Sequence, residues 1–468
     1  MRIKTFVKYF VIVPIVLALG FVLLIYSYTK LPMFGAIPNG SRQEKIQKLP
    51  YYADGKFHNI YQKHGVHMSL PGAVWKLLST KTDGLFSFLH WLFSSTTPPH
   101  SQSSRDKSEC NQAQKPTPAH PIPALNVDWN NLPRQQDIAI WLGHSSCFFQ
   151  ISGRRILVDP LFSKVSSPLL FFPKAFEGTD IFKPQDLPDI DILIITHDHW
   201  DHLDYKTVLQ LRGKVKKVVC PIGVGAHFER WGYDPSQIVE MSWGEALDVG
   251  SWAVEPALSV GANCEAVKVT GAGFKIYCLP AHHSSGRHFT WNKSLWASFL
   301  IWQNSLKIYL SGDSGYSKHY ADIGAAFAPI DFAFLNSGQY DARWPHNHLA
   351  PVQVVKAMRD LGAKKLLPIH ICKLSIGANH AWAAPLRELK KASAALNQRP
   401  DLASLSQRPG LASLSQRPDF ASLSQRPDLA SLSQRPGLAF ELLTPQIGEV
   451  VDLRNEHQTL RTWWECKP

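Results

Sequence analysis

The chain has 468 residues, of which 45% are hydrophobic and 18% are charged, and its formal net charge is +12. This length excludes a small domain held together by disulfides and predicts one large domain with additions at both ends. The positive charge indicates affinity for anionic surfaces, either lipid headgroups or nucleic acid. The seven cysteines form no C-x-x-C pair, so we interpret them as buried small hydrophobic residues rather than as disulfides or metal ligands.

The N-terminus contains an apolar segment, residues 9–28, that follows Arg2, Lys4 and Lys8. At about 1.5 Å per residue, a helix of this length matches a hydrocarbon core of roughly 30 Å. The segment ends in YSYTKLP, which lacks a small-residue cleavage pattern, so we predict an uncleaved single-pass membrane anchor rather than a signal peptide. The preceding positive charges favour a catalytic domain on the extracytoplasmic side, although Lys30 and later lysines weaken that contrast.

Changes in composition divide the chain into five parts. A Pro/Ser-rich stretch, SSTTPPHSQSSRDKSECNQAQKPTPAHPIP, indicates a linker or a flexible lid. The predicted parts are an N-terminal membrane anchor (1–30), an N-terminal extension with the linker (31–125), a catalytic domain (126–397), a tandem-repeat insert (398–438), and a C-terminal strand and tail (439–468).

Strand and helix patterns alternate along the predicted catalytic domain. Short apolar runs predict strands at IAIWLG, CFFQI, RRILVD, DILIIT, KKVVC, FKIYCL, ASFLIW, LKIYLS and DFAFLN. Between and after them, PVQVVKAMRDLGA and PLRELKKASAAL have the periodicity of helices. This alternation predicts the α/β fold class.

A nine-residue repeat, QRPDLASLS, begins at Gln398 and offers little apolar surface to bury. We interpret it as a tandem expansion inserted into the domain, with a docking surface as the alternative. FELLTPQIGEVVDL then predicts a return to the sheet, and the terminal TWWECKP is expected to pack on the domain or to touch lipid.

The segment THDHWDHLD directly follows the apolar run DILIIT and carries three histidines and two aspartates within six residues. In a rigid loop, His197 and His199 can converge on one metal ion, while Asp201 and His202 reach a second ion beside it. Imidazole and carboxylate ligands suit zinc, and iron or manganese are further candidates. We therefore predict a metal site at this strand end.

These residues resemble the H-x-H-x-D-H motif of the metallo-β-lactamase superfamily. WLGHSSCFFQISGRRILVDPLFS, PAHHSSGRHFTWNKSLWASFLI, YLSGDSGY, YDARWPHNHLAPVQVV and LPIHICKLSIGANHAW resemble one branch, N-acyl-phosphatidylethanolamine phospholipase D and its bacterial relatives. The likeness runs from about Asp54 to Leu396 and resumes at Phe440. It implies a four-layer αβ/βα sandwich with the metal site at one edge, between the two sheets.

The resemblance also implies a ligand set. It assigns His197, His199 and His283 to a first zinc ion, Asp201, His202 and His370 to a second, and Asp313 to both. We choose His283 over His282 because the block in this branch reads P-A-Q-H, with glutamine at the position of His282.

Two metal ions about 3.5–4 Å apart can share a hydroxide that attacks phosphorus or a carbonyl carbon. The resemblance implies that Asp201 orients this hydroxide and that His348 stabilises or protonates the substrate phosphate. We interpret His144 and Asp159 as residues that orient ligands or support the fold.

Further positions concern the substrate. Tyr340 and Arg343 either line the substrate pocket or have a packing role, and the sequence does not distinguish the two. Trp200 replaces a tyrosine of the phospholipase motif, and HAWAAP around His380 lacks the acidic pair of this branch. These departures leave the metal ligands intact and concern substrate preference.

Two enzyme classes remain open at the level of the sequence. The leading hypothesis is a membrane-anchored binuclear zinc hydrolase that acts on phosphodiesters, with phospholipids as substrates. The alternative is a lactonase or another carboxylic-ester hydrolase, since one fold serves both. A nuclease is disfavoured because the sequence has no separate nucleic-acid module, so we expect no nucleic-acid partner. A scaffold that uses the repeat is disfavoured because it needs no converging ligands.

Overall fold

The computed structural model describes residues 12–61, 116–168, 172–258, 273–287, 290–398, 440–456 and 458–465. Residues 1–11 of the predicted anchor, residues 62–115 of the predicted extension and linker, and residues 399–438 of the predicted repeat insert lie outside the described residues.

The described residues form seven α-helices and seventeen strands. The helices are α1 (Val13–Tyr28), α2 (Gly40–Gln47), α3 (Tyr205–Leu211), α4 (Gly225–Arg230), α5 (His319–Phe327), α6 (Pro351–Leu361) and α7 (Ala384–Gln398). The first nine strands are β1 (Tyr52–Ala53), β2 (Lys56–Phe57), β3 (Ile138–Trp141), β4 (Cys147–Ile151), β5 (Arg154–Val158), β6 (Ile190–Ile194), β7 (Val215–Pro221), β8 (Ile238–Met241) and β9 (Glu245–Asp248). The others are β10 (Val254–Pro256), β11 (Phe274–Leu279), β12 (Ser298–Gln303), β13 (Leu306–Leu310), β14 (Ile330–Asn336), β15 (Ala363–Ile369), β16 (Glu441–Leu442) and β17 (Val450–Asp452).

The strands form two large sheets and one small hairpin of β1 and β2. The seven-stranded sheet has the order β17-β3-β4-β5-β6-β7-β8, and the eight-stranded sheet has the order β10-β9-β11-β12-β13-β14-β15-β16. Strands β5 to β8 run parallel to one another, as do β13 to β16. The chain segment after the repeat contributes one strand to each sheet, whereas the sequence predicted a single C-terminal strand.

The two sheets pack face to face, and helices cover their outer faces. Phe149 of β4 meets Phe334 of β14 across the interface, with ring centroids 5.0 Å apart. Helices α5, α6 and α7 pack on the eight-stranded sheet, and α3 and α4 pack on the seven-stranded sheet. Every residue of β4 and of β6 is buried, because layers cover both faces of the sheet. This arrangement confirms the predicted α/β sandwich of four layers.

Helix α1 is apolar around its described surface, and Leu17 and Leu24 are each 67% exposed. The predicted transmembrane helix is not supported, because no helix among the described residues is both long enough and apolar enough to cross a bilayer.

The segment after α1 lies against the catalytic domain. Phe34, Ile46 and Phe57 are buried there. The Arg42 guanidinium pairs with Glu240 at 2.6 Å and with Glu229 at 2.6 Å. The first described part of the predicted N-terminal extension is therefore packed on the sandwich.

The four cysteines within the described residues, Cys147, Cys220, Cys278 and Cys372, are buried and unpaired, as predicted. Burial raises the pKa of each thiol.

Candidate metal centre

The candidate site lies at the edge of the sandwich where the parallel strands end. His197 follows β6, Asp313 follows β13 and His370 follows β15 directly. Strand β11 runs parallel to β13, because each pairs antiparallel with β12, so His283 also emerges at this edge. The two sheets meet here, where the backbone N–H of His370 donates to the carbonyl of His144 at 2.9 Å.

Three imidazoles form the first group of candidate ligands. His199 Nδ1 lies 2.9 Å from His197 Nε2 and 3.1 Å from His283 Nε2. Nitrogen ligands of a tetrahedral zinc ion stand about 3.3 Å apart, because each Zn–N bond is about 2.0–2.1 Å long. Burial lowers the pKa of each of these histidines, which favours the uncharged imidazole.

A second group surrounds Asp201. Its Oδ2 lies 3.8 Å from His202 Nε2, 3.9 Å from His370 Nε2 and 2.9 Å from His144 Nε2. Each of these four residues offers one ligand atom, and the four atoms lie within 4.8 Å of one another. His144 therefore joins the candidate ligands or hydrogen-bonds to Asp201.

Asp313 lies between the two groups. Its Oδ2 is 4.0 Å from His197 Nε2 and 3.1 Å from His202 Nε2, and its Oδ1 is 3.2 Å from His370 Nδ1. Burial opposes ionisation of this carboxyl, but the charges of His202, His370 and His348 hold its pKa well below the usual range. A buried carboxylate between two sets of imidazoles suits a ligand shared by two cations.

Asp159 orients the second group from behind. Its Oδ2 accepts from His202 Nδ1 at 2.8 Å, which leaves His202 Nε2 directed at Asp313. Asp159 also accepts from the Thr196 amide at 2.8 Å and from the Thr196 hydroxyl at 2.6 Å, fixing the start of the histidine loop. Burial disfavours a charged His202, but Asp313, Asp201 and Asp159 outweigh it and raise the pKa of His202 well above its usual value.

The donor set fits a pair of metal ions. His202 Nε2, His370 Nε2 and Asp313 Oδ1 are buried atoms without a well-formed hydrogen bond to any described residue. Leaving such atoms without partners is costly in a protein interior, and a bound cation would satisfy them together. The donors are all nitrogen and oxygen, which matches zinc and also permits iron or manganese.

The predicted site residues come together with few exceptions. All seven predicted ligands lie in this cluster, and the structure places His283 in it, whereas His282 faces His346 with ring centroids 6.4 Å apart. His348 also belongs to it, with Nδ1 3.8 Å from Asp313 Oδ2 and its ring stacked 4.9 Å from His370.

Tyr340 and Arg343 have packing contacts. The Tyr340 hydroxyl donates to Glu388 at 2.9 Å, and its ring stacks on His380 at 4.6 Å. The Arg343 guanidinium pairs with Asp341 at 2.8 Å.

Several residues near the site were not identified from the sequence. The buried Asp198 accepts from the Ser294 hydroxyl at 2.6 Å, and its Oδ2 is 3.3 Å from His227 Nε2. The buried Arg287 stacks its guanidinium 4.1 Å from the Trp200 ring centroid. Trp291, 53% exposed, places its ring 6.4 Å from that of His199. Only Asp198 carried a sequence signal, since it lies inside the histidine motif.

Comparison with known proteins agrees with this geometry. Residues 154–371 match the family described as "Beta-lactamase superfamily domain". An uncharacterised protein of Mycobacterium tuberculosis (strain ATCC 25618 / H37Rv) is 32% identical over 290 residues, which cover 59% of this chain and 69% of the relative. The chain belongs to the β-lactamase superfamily. It combines the α/β sandwich of the metal-dependent hydrolases of this superfamily with a cluster of side chains that could hold metal ions.

Two relatives are named for the hydrolysis of N-acyl-phosphatidylethanolamine. N-acyl-phosphatidylethanolamine-hydrolyzing phospholipase D 1 of Caenorhabditis elegans is 27% identical over 293 residues, which cover 60% of this chain and 76% of the relative. The mitochondrial N-acyl-phosphatidylethanolamine-hydrolyzing phospholipase D of Saccharomyces cerevisiae is 32% identical over 242 residues, or 49% of this chain and 46% of the relative. The predicted resemblance to this branch is confirmed.

Solved structures with detectable similarity include two metalloproteins. CmlA, a diiron β-hydroxylase of Streptomyces venezuelae, has a TM-score of 0.41 and 19% identity, covering 56% of this chain and 51% of CmlA. Igni18, a metallo hydrolase of Ignicoccus hospitalis, has a TM-score of 0.38 and 18% identity, covering 67% of this chain and 97% of Igni18.

Proposed function

We propose that the chain is a hydrolase that holds two zinc ions and cleaves phosphodiester bonds, with N-acyl phospholipids as its substrate class. The observation that carries the proposal is the buried cluster in which Asp313 lies between two groups of imidazoles. The two relatives named for hydrolysis of N-acyl-phosphatidylethanolamine support the substrate class.

In this proposal each of the two ions has its own group of candidate ligands. His197, His199 and His283 would hold the first ion, Asp201, His202 and His370 would hold the second, and Asp313 would serve both. When bound, a zinc pair supplies a nucleophile at neutral pH and stabilises negative charge that develops on the substrate.

The protein itself supplies orientation and hydrogen bonds. Asp159 fixes the tautomer of His202, and the hydrogen bond from His144 restricts Asp201. His348 is buried, and its Nδ1 makes no hydrogen bond to a described residue, so this imidazole is available to a substrate oxygen. The exposed ring of Trp291 beside His199 offers an apolar contact to the rest of the substrate.

The proposal includes attachment to a membrane through the N-terminal residues, with the catalytic domain on the extracytoplasmic side. The exposed apolar side chains of helix α1 support attachment, and the positive charges of the first eight residues support the orientation. A membrane location would bring the site to a phospholipid substrate.

The test compares the purified full-length chain with its Asp313→Ala variant. Metal content is measured by mass spectrometry, and turnover is measured with bis(p-nitrophenyl) phosphate, with vesicles containing an N-acyl-phosphatidylethanolamine, and with simple lactones. We expect about two zinc ions per chain, cleavage of the phosphodiester and the lipid, and a loss of activity of at least a hundredfold in the variant.

Two results would contradict the proposal. If the folded, zinc-loaded chain cleaves lactones but no phosphodiester, the protein is a carboxylic-ester hydrolase instead. A folded chain that binds no zinc even when zinc is added would remove the binuclear site altogether.

A further inference from the structure

A short N-terminal segment, residues 32–36, lies directly behind the histidine loop formed by residues 197–203. The segment precedes the predicted catalytic domain, which begins at residue 126, and it also lies outside the matched range 154–371. The segment nonetheless contacts residues that in turn contact the histidine loop. Two buried side chains, His227 and Arg287, connect the two stretches.

His227 joins the segment to Asp198, which stands between two predicted ligands. The backbone N–H of Ala36 donates to His227 Nδ1 at 3.0 Å, so the ring proton is on Nε2, which lies 3.3 Å from Asp198 Oδ2. The Gly286 amide also donates to Asp198, at 2.7 Å. A displacement of the segment would therefore change the contacts of Asp198, which lies between His197 and His199.

Arg287 joins the same two stretches through backbone carbonyls. Its Nε donates to Met33 O at 2.8 Å, and its Nη1 donates to Leu203 O at 2.6 Å. The guanidinium covers the ring of Trp200, which the Phe34 ring approaches edge-on at 5.3 Å. One cation thus holds the N-terminal segment and the end of the histidine loop together.

The fit between the segment and His227 depends on a glycine. Gly35 has φ +71°, and a Cβ atom built there would lie 2.0 Å from His227 Nδ1. The Trp231 indole, which stacks on His227, donates to Pro32 O at 2.7 Å and holds the segment at this distance. Any side chain at position 35 must displace either the segment or the imidazole.

We propose that residues 32–36 are a positioning element of the metal centre, which hold the histidine loop in its metal-binding geometry through His227 and Arg287. None of these residues is a metal ligand in this assignment. The segment acts on metal affinity, because residues that orient ligands typically change affinity by about 10–100-fold when they are altered.

The test uses two glycine substitutions in the full-length chain. Gly35→Ala introduces the contact with His227, whereas Gly40→Ala places the same methyl group in open space. Both glycines have positive φ, +71° and +52°, but Gly35 also has ψ −149°, a backbone conformation that only glycine adopts readily. Gly40→Ala controls for an added methyl group at a positive φ, and Arg287→Lys tests the same contacts without backbone strain.

Zinc affinity is measured by competition with a chromophoric chelator, and the visible spectrum of the cobalt-substituted protein reports the ligand geometry. We expect Gly35→Ala to bind zinc about tenfold or more weakly, with an altered cobalt spectrum, while Gly40→Ala matches the wild type. Equal affinity and equal spectra for a folded Gly35→Ala variant and the control would overturn the inference.

Arg287→Lys provides a second route if Gly35→Ala does not fold. An ammonium group keeps the charge but cannot present the guanidinium's fixed set of donors to Met33 O and Leu203 O together. We expect weaker zinc binding in this folded variant as well, and wild-type affinity would overturn the inference. Because metal binding is measured without a substrate, the result is independent of which bond the enzyme cleaves.

Discussion

Three residues of the candidate centre have left-handed backbone conformations although none is glycine. His144 has φ +53°, Asp159 has φ +40° and His370 has φ +63°. Side chains disfavour this region by about 1–2 kcal/mol, so the surrounding contacts must maintain it. The bridge between His144 and Ile371 and the hydrogen bonds of Asp159 provide such contacts. The strained backbone conformation at these positions therefore helps to set the direction of the candidate ligand side chains.

Replacement of His348 tests whether this residue acts on the substrate or binds metal. In His348→Gln we expect kcat with bis(p-nitrophenyl) phosphate to fall by about a hundredfold, because a hydrogen-bonding or proton-donating imidazole is lost. Zinc content is expected to remain at the wild-type level. A parallel loss of zinc would instead make His348 a ligand, since its Nδ1 lies 3.8 Å from Asp313 Oδ2.

The sequence predicted the local part of the site better than its long-range part. His197, His199, Asp201 and His202 form one contiguous signal after a buried strand. Asp313 and His370 were assigned from the family resemblance together with their positions after apolar strands, because each alone fits an ordinary turn or core position. His227 had no signal at all, since its role depends on a chain segment 191 residues away.

At the scale of secondary structure, Asp191 of β6 connects neighbouring elements. Its Oδ2 accepts from the Arg155 amide of β5 at 2.9 Å and from Arg134 at 2.7 Å, and its Oδ1 accepts from Lys216 of β7 at 2.7 Å. Burial opposes ionisation, but these hydrogen bonds and charges lower the pKa of Asp191. The carboxylate therefore stabilises the three-strand unit mainly in its charged form.

Asp191→Asn is expected to lower the free energy of unfolding at pH 7 by about 1–2 kcal/mol, because charge-assisted hydrogen bonds to partly exposed partners are lost. A lowered native pKa contributes stability above the unfolded value near 3.9, which is lost as the pH falls through the native pKa. Urea titrations should therefore show the full difference above about pH 5 and a smaller one below about pH 4.

The exposed Asp189 is the control for this experiment, and Asp189→Asn should change stability little. A difference between wild type and Asp191→Asn that stays constant down to the acid transition would show that the carboxylate charge is not what stabilises the unit.

Prediction of elements succeeded where a strand contains a continuous apolar run. The runs IAIWLG, CFFQI, RRILVD and DILIIT became β3 to β6, and the two helical patterns became α6 and α7. Strands β1, β2, β8, β9 and β10 were not predicted because they are short, and β15 was not predicted because its sequence, AKKLLPI, carries two lysines and a proline. Their pairing depends on the neighbouring strands of the sheet rather than on their own composition.

At the scale of the molecule, the metal centre joins the two sheets. His197, His199, Asp201 and His202 follow a strand of the seven-stranded sheet, and His283, Asp313 and His370 follow strands of the eight-stranded sheet. Bound metal would therefore link both halves of the sandwich, and binding to the native state stabilises it by mass action.

Removal of metal by a chelator is expected to lower the melting temperature of the full-length chain. A site occupied at a free metal concentration a thousandfold above Kd contributes about 4 kcal/mol, which corresponds to a shift on the order of 5 °C. Differential scanning calorimetry with and without the chelator measures this shift. The Asp313→Ala variant should respond far less, and an equal response would place the stabilising metal elsewhere.

Helix α1 ends beside the candidate metal centre, so a surface that took up its exposed apolar side chains would restrict where the enzyme could work. The Tyr28 hydroxyl donates to the carbonyl of Pro168, the Tyr28 ring lies 5.6 Å from that of Phe34, and Phe34 contacts Trp200 of the histidine loop. Any surface that takes up α1 would lie within a few side chains of the metals. The enzyme would then meet substrates that diffuse within that surface by a two-dimensional search, and molecules dissolved far from it would be reached only rarely.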